Sequence, residues 1–194
     1  MWGEGCRYVA GLDEVGRGPL AGPVVAAAVV FAPDAEPIDG LRDSKKLTAR
    51  RREVLAVQIK SRVLTWGIGA ASVKEVDRRN ILCATGLAMR RALAHLSVTP
   101  GRLLIDGTAL PELRFEHEYI VKGDSLSQSI AAASILAKCV RDRIMTLLSP
   151  RYPAFHWDNN MGYATSQHLS ALQSIGLTPH HRKSFEPVGQ LTLF

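Results

Sequence analysis

The sequence has little cysteine, no excess of acid, no long apolar run and no low-complexity stretch, and each absence removes a class of protein. Its 24 Lys+Arg against 18 Asp+Glu leave a formal net charge of +6, which excludes an acidic, solvating chain and points toward an anionic partner. The three cysteines, Cys6, Cys83 and Cys139, are far apart and form no CxxC or Cys/His cluster. That speaks against a zinc site or a disulfide framework and for a reducing compartment. The longest apolar stretch, Val24 to Ala32, falls well short of the roughly 20 residues that span a bilayer. Met1 to Arg7 shows no charged segment leading into an apolar core, so no signal peptide is expected and the expected compartment is the cytoplasm. With 46% hydrophobic and 22% charged residues in 194, the chain suits one folded domain, or one with a small appendage.

What is present reads as alternating strands and helices. Tyr8 to Leu12 is a short apolar run that meets Asp13-Glu14 and then Gly16 and Gly18, as a strand entering a tight turn. Val24 to Phe31, valine-rich between two prolines, predicts a buried central strand. Thr48 is positioned to cap a helix carrying Val54, Leu55, Ile59 and Val63. Thr65 to Ala71 predicts another strand. Asn80 caps a helix whose Leu82, Met89, Leu93 and Leu96 share a face. Leu103 to Ile105 and Glu118 to Val121 predict short strands. Leu136, Val140, Ile144 and Leu148, spaced by four, predict a helix, and Ser166 to Ser174 a last amphipathic one. Strands first and helices last imply an α/β sandwich with a helical C-terminal appendage. The expected division is a body over 1–185 and a tail over 186–194.

Four acids share one context. Asp13 and Glu14 follow the first strand, Asp106 ends the LLID strand, and Asp124 lies between a strand and the SLSQSIAAAS helix. Carboxylates that converge at strand ends stay ionised only if cations compensate them, and hard ions such as Mg²⁺ prefer oxygen ligands. Two such ions about 3.5–4 Å apart clamp the attacking and leaving oxygens of a phosphodiester displacement. Taken singly, Asp124 is as good a helix cap and Asp106 before Gly107 an ordinary turn acid. Adjacent strand residues point to opposite faces, so a site shared by Asp13 and Glu14 requires the strand to end or kink there.

The run GLDEVGRGPLAGPVVAAAVV, followed in order by DSKKLT, IDG, VKGDSLSQSIAAASILAKCVRD and GYATSQHLSALQSIGLTPHHRKSF, closely resembles bacterial ribonuclease HII, the type 2 ribonuclease H, from about Tyr8 to Val188. The resemblance implies a ribonuclease H-like fold: a five-stranded mixed sheet flanked by helices, with a C-terminal helical extension. It implies a metal-dependent endonuclease that hydrolyses RNA/DNA hybrids and cuts on the 5′ side of ribonucleotides embedded in duplex DNA, using Mg²⁺ or Mn²⁺. The family's four metal-binding acids fall on Asp13, Glu14, Asp106 and Asp124. Its glycine-arginine-glycine motif falls on Gly16, Arg17 and Gly18, and its substrate-sensing tyrosine on Tyr163. One departure stands before that tyrosine, where many relatives carry Lys-Gly-Tyr and this chain has Met161-Gly162-Tyr163, so a contact from that lysine is not carried over.

RNA differs from DNA by a 2′-OH that donates and accepts hydrogen bonds, and glycines let backbone approach a nucleotide closely. The Gly-Arg-Gly loop can therefore offer backbone groups to the 2′-OH while Arg17 holds a phosphate and Tyr163 packs on the sugar. Leu41 to Arg62 holds eight basic residues and two acids, a local excess equal to the net charge of the whole chain. Such a run is usually a solvated face, but Ser44, Lys45 and Lys46 sit in the DSKKL motif and are candidate phosphate contacts, which would make binding salt-dependent. His180, His181 and Arg182 are candidates to extend that surface. The last residues, Gln190, Leu191, Thr192, Leu193 and Phe194, look like a bacterial sliding-clamp-binding pentapeptide, against the alternative of a frayed terminus. The expected state is a monomer. Two competitors remain: a non-catalytic hybrid-binding module tethered to the clamp, and ribonuclease HIII, whose extra N-terminal domain has no room before Asp13.

Overall fold

The structure, a computed structural model, describes residues 8–41, 44 and 47–192. Five strands, β1 (Val9–Val15), β2 (Val24–Val30), β3 (Thr65–Ala71), β4 (Arg102–Asp106) and β5 (Glu118–Ile120), form one sheet in the order β3-β2-β1-β4-β5. β1 pairs antiparallel with β2 and parallel with β4. β2 pairs antiparallel with β3, and β4 parallel with β5. This is the mixed five-stranded sheet expected.

The helices are α1 (Ala49–Arg62), α2 (Val73–Arg79), α3 (Ile81–Ala94), α4 (Gln128–Leu148), α5 (Trp157–Asn160) and α6 (Ser166–Ile175). Both faces of the sheet are covered. Val24, Ala26, Ala28 and Val30 of β2 pack with Ala84, Ala88, Met89 and Ala92 of α3. The alternate residues Val25, Ala27 and Val29 pack with Leu55 and Ile59 of α1 and with Ala132, Ala133 and Leu136 of α4. Burial on both sides is why β2 reads as an unbroken apolar run. The alanines of α4 let it lie close on the sheet. A side chain on Gly11 of β1 would run into the α4 backbone at Ser129 and Ile130.

A third cluster joins Leu20 and Ala21 to Met145 of α4 and to Phe155, Trp157, Ala171, Leu172 and Val188. It anchors the C-terminal helical extension to the far end of α4, and the packed body reaches Val188. Among the described residues no helix is long and apolar enough to cross a membrane.

Thr48 and Asn80 cap α1 and α3 as expected, accepting from the amides of Arg51 and Cys83. Two expectations need correction, and one element was missed. β1 does not end at the acids: Glu14 and Val15 still pair with Ala26 and Val25. Leu82 is exposed, because the buried stripe of α3 is the row Ala84, Ala88, Met89 and Ala92, whose small side chains fit against the sheet. α2 escapes apolar periodicity in seven residues, although Ser72 and Glu75 form a capping box at its start that is a sequence signature in its own right.

Candidate active site

Parallel pairing of β1 with β4 sets Leu12 beside Ile105, so Asp13-Glu14 and Asp106 lie side by side at the carboxyl ends of neighbouring strands. β5 pairs with β4 up to Asp106 and Ile120. The chain then turns through a short 3-10 segment, Gly123–Ser125, that carries Asp124. The Gly123 amide donates to Asp106 Oδ1 at 2.7 Å, which ties the Asp124 turn to the β4 acid. Asp124 is not a helix cap; that place belongs to Ser127. Open α/β sheets bind ligands at this end.

The strand alternation persists through the acids. Asp13 turns toward α4, where Ser134 hydrogen-bonds to it, while Glu14 borders a small hollow with Asp106, Thr85 and Met89 on the α3 side. Asp13 is only 7% exposed. Burial, then the charges of Glu14 and Asp106, hold its carboxyl well above the usual range, partly opposed by Ser134 and by the Glu14 amide, which donates to Asp13 Oδ1 at 2.7 Å. Burial raises Glu14 as well, opposed chiefly by Arg17, whose guanidinium lies 3.3 Å from Glu14 Oε1.

Among the described residues no group of three or more acids, histidines or cysteines is spaced to hold one ion. The donor set nevertheless fits a hard divalent cation. It offers carboxylate oxygen only, the charges of Glu14 and Asp106 raise the proton affinity of Asp13, that of Asp106 raises Glu14, and Arg17 offsets Glu14. A bound cation would relieve that repulsion.

The second part of the site is the loop after β1. Gly16 has φ of 98°, a conformation that suits glycine, and Arg17 and Gly18 are exposed. A side chain on Gly18 would lie 3.9 Å from Cε1 of Tyr163, so the Gly-Arg-Gly loop and the tyrosine adjoin. Tyr163 is 45% exposed. Its carbonyl accepts from Nδ1 of His168 at 2.8 Å, and the Leu20 amide bonds to the Gly162 carbonyl at 2.8 Å. Met161 packs on the third cluster.

Two arginines support this loop from below, and neither was legible as such. Arg141 is fully buried and donates to the carbonyls of Pro23, Ala21 and Met161. Its sequence signal is an arginine four residues from both Ala137 and Met145 in an apolar stripe. Arg182, expected on a basic surface, is also fully buried and donates to the carbonyls of Gly16, Arg17 and Gly22. Burial and the nearby Arg141 charge push its guanidinium down to about 9. His181, expected on the same surface, is 2% exposed.

Other candidates divide. Ser44 is 1% exposed and its hydroxyl meets that of Ser134 at 2.9 Å. It therefore supports Asp13 through Ser134 and is not offered to a phosphate. Arg50 and Arg51 are exposed. Arg52 is a brace, donating to the Ser44 and Leu47 carbonyls and to Asp142. Lys45, Lys46, Leu193 and Phe194 lie outside the described residues. Gln190 and Leu191 are exposed in a 3-10 turn, Gln190–Thr192.

The model of the family "Ribonuclease HII" matches residues 10–188. The ribonuclease HII of Sphingopyxis alaskensis is 56% identical over 187 residues, covering 96% of this chain and 93% of that one. Among solved structures, the ribonuclease H2 of Pyrococcus horikoshii superposes with a TM-score of 0.79 at 26% identity, over 95% of this chain and 96% of that one. A complex described as PCNA:RNase HII from Archaeoglobus fulgidus gives 0.75 at 25% identity, over 92% and 95%. The family is one of divalent-metal-dependent nucleases, and the enzyme type is ribonuclease H. With a family model that matches residues 10–188 and a relative 56% identical over 96% of this chain, the chain belongs to the ribonuclease HII family.

Proposed function

We propose that this endonuclease hydrolyses the RNA strand of RNA/DNA hybrids and cuts on the 5′ side of a ribonucleotide embedded in duplex DNA, leaving 3′-hydroxyl and 5′-phosphate ends. Ribonucleotide excision and primer removal are the corresponding roles. The observation that carries the reading is the adjacency of two features. Acids from β1, β4 and the turn after β5 gather at one sheet end, and the loop that continues β1 brings Gly18 against Tyr163.

Asp13, Glu14, Asp106 and Asp124 would hold two divalent cations, Mg²⁺ or Mn²⁺. Such a pair supplies an activated water and neutralises charge at the leaving 3′-oxygen. The chain's own groups do the rest. Ser134 orients Asp13 with support from Ser44. The Gly16–Gly18 backbone meets the 2′-OH, and Tyr163 packs against the sugar. Arg17 balances Glu14 and stands exposed enough to exchange that partner for a phosphate when substrate arrives.

The archaeal relative's complex with PCNA and the exposure of Gln190 and Leu191 support a tail that binds the DNA sliding clamp. A cytoplasmic monomer completes the reading. The deciding experiment is cleavage of a duplex with one embedded ribonucleotide, with Mg²⁺, with Mn²⁺ and with chelator. A single cut that needs the ion is expected; binding without any cut would favour the non-catalytic module instead.

A further inference from the structure

Arg182 and Arg141 are both fully buried, and among the described residues neither has a carboxylate within ion-pair distance. Burying a cation without a counter-ion is costly, so what these side chains do hold is informative. All their hydrogen bonds go to main-chain carbonyls. Arg182 Nη2 donates to Gly16 O at 2.6 Å and to Gly22 O at 2.8 Å, Nη1 to Arg17 O at 2.8 Å, and Nε to Gly22 O at 3.0 Å. Arg141 gives Nε to Pro23 O at 3.1 Å, Nη2 to Ala21 O at 3.1 Å and Nη1 to Met161 O at 2.9 Å. Five carbonyls of the loop 16–23, and one beside Tyr163, thus face inward onto two planar guanidinium forks.

The consequence follows from peptide geometry. In a trans peptide the carbonyl and the next amide N–H point in opposite directions across a rigid plane. Drawing Gly16 O and Arg17 O inward turns the amides of Arg17 and Gly18 outward. Both residues are exposed, and among the described residues no protein acceptor takes either N–H. Gly18 is the residue that borders Tyr163.

We propose that Arg182 is a positioning residue for ribonucleotide discrimination: it fixes two successive peptide planes so that the Arg17 and Gly18 amides are presented to the substrate beside Tyr163, with Arg141 holding the rest of the loop and Met161. The inference rests on the reading that the Gly-Arg-Gly loop meets the 2′-OH. Lysine cannot reproduce the device, because its ammonium is a point charge on a flexible stem and not a fork with fixed donor directions.

The test measures affinity in chelator, so that no strand is cut, for two duplexes that differ by one ribonucleotide. The ratio of the two Kd values is the readout, and a merely structural weakening of a still-folded protein leaves it alone. Arg182→Lys and Arg182→Gln are expected to lower the ratio about tenfold, close to the 1.4 kcal/mol of one good hydrogen bond. Val188→Ala, a truncation in the neighbouring apolar cluster, serves as the stability-matched control and should keep the ratio within about twofold. An unchanged ratio in a folded Arg182 variant overturns the positioning role. A ratio near one in the unaltered protein overturns instead the reading beneath it. If neither variant folds, amide exchange at Arg17 and Gly18 in the unaltered protein decides. Slowing by the ribonucleotide duplex and not by the all-DNA duplex supports the proposal; equal exchange with both refutes it.

Discussion

In the proposed function Asp13 and Tyr163 carry the two chemical tasks of the site, and each can be removed alone. Asp13 is buried among other carboxylates, so replacing it with the neutral isostere asparagine relieves repulsion while deleting a proposed metal ligand. Asp13→Asn is expected to lower kcat by at least about a thousandfold, with duplex affinity held within a few-fold. Residual activity near that of the unaltered enzyme would refute the assigned role. Tyr163 is half exposed at the edge of the loop, so little of the fold depends on its ring. Tyr163→Ala should retain its melting temperature and lose about tenfold or more in kcat/KM on a single embedded ribonucleotide, with a smaller loss in duplex binding. Asp13 stands out in the sequence because acids at strand ends are a local pattern, and Tyr163 through the resemblance to ribonuclease HII. Ser134 does not. Its hydroxyl matters only because α4 lays it against Asp13 and Ser44, and no spacing in the chain announces that.

Between elements, the decisive contact is α4 on β1. Gly11 faces the α4 backbone with no room for a methyl group, and Asp13 lies two residues along on the same face, against Ser134. Packing and site geometry are therefore one problem. Gly11→Ala should force helix and sheet apart, costing about 1–3 kcal/mol in denaturant unfolding, and should also slow cleavage by displacing Ser134 from Asp13. Full activity at reduced stability would show that the two are independent. The strands and helices themselves were legible because burial writes period-2 and period-3.6 patterns into the chain. The face of α3 shows the limit. Of Leu82, Met89, Leu93 and Leu96, Met89 is buried and Leu93 and Leu96 pack on the core, whereas close packing against the sheet selected alanines and left Leu82 outside.

The whole molecule depends on its C-terminal extension, where pH enters. Trp157 Nε1 donates to His168 Nε2 at 3.3 Å, which makes that nitrogen an acceptor and leaves the His168 Nδ1–H for the Tyr163 carbonyl. His181 Nε2–H then donates to His168 Nε2 at 2.9 Å, and His181 Nδ1 accepts from the Thr178 amide. Both rings are thus neutral. Burial pushes His181 down to about 4, and His168 is lowered for the same reason. The unfolded chain therefore binds more protons between about pH 4 and 6.5, so stability rises with pH across that window and levels off above it. Acidification from pH 7 to 4 should remove about 3 kcal/mol through His181 alone. Urea unfolding at pH 7 and pH 5 checks this; equal midpoints would contradict the neutral pair. The same extension ends in the proposed clamp-binding tail. Deleting residues 190–194 should abolish binding to the sliding clamp and leave cleavage of short duplexes unchanged, and equal clamp affinity with and without them would end that idea.

By itself the sequence determined the five strands, the helices α1, α3, α4 and α6 and the four acids at strand ends, because each is a local pattern of residue types along the chain, while the Gly-Arg-Gly loop and Tyr163 were reached through the family resemblance. The tertiary structure alone decided which side chains act together. Arg141 and Arg182 lie 41 positions apart and look like surface charge, yet both are drawn inside to hold one loop by its carbonyls. Ser44 looks like part of a phosphate site and instead supports an acid through Ser134. A buried polar group takes its partner from whatever the fold brings within about 3 Å, and separation along the chain carries no record of that distance.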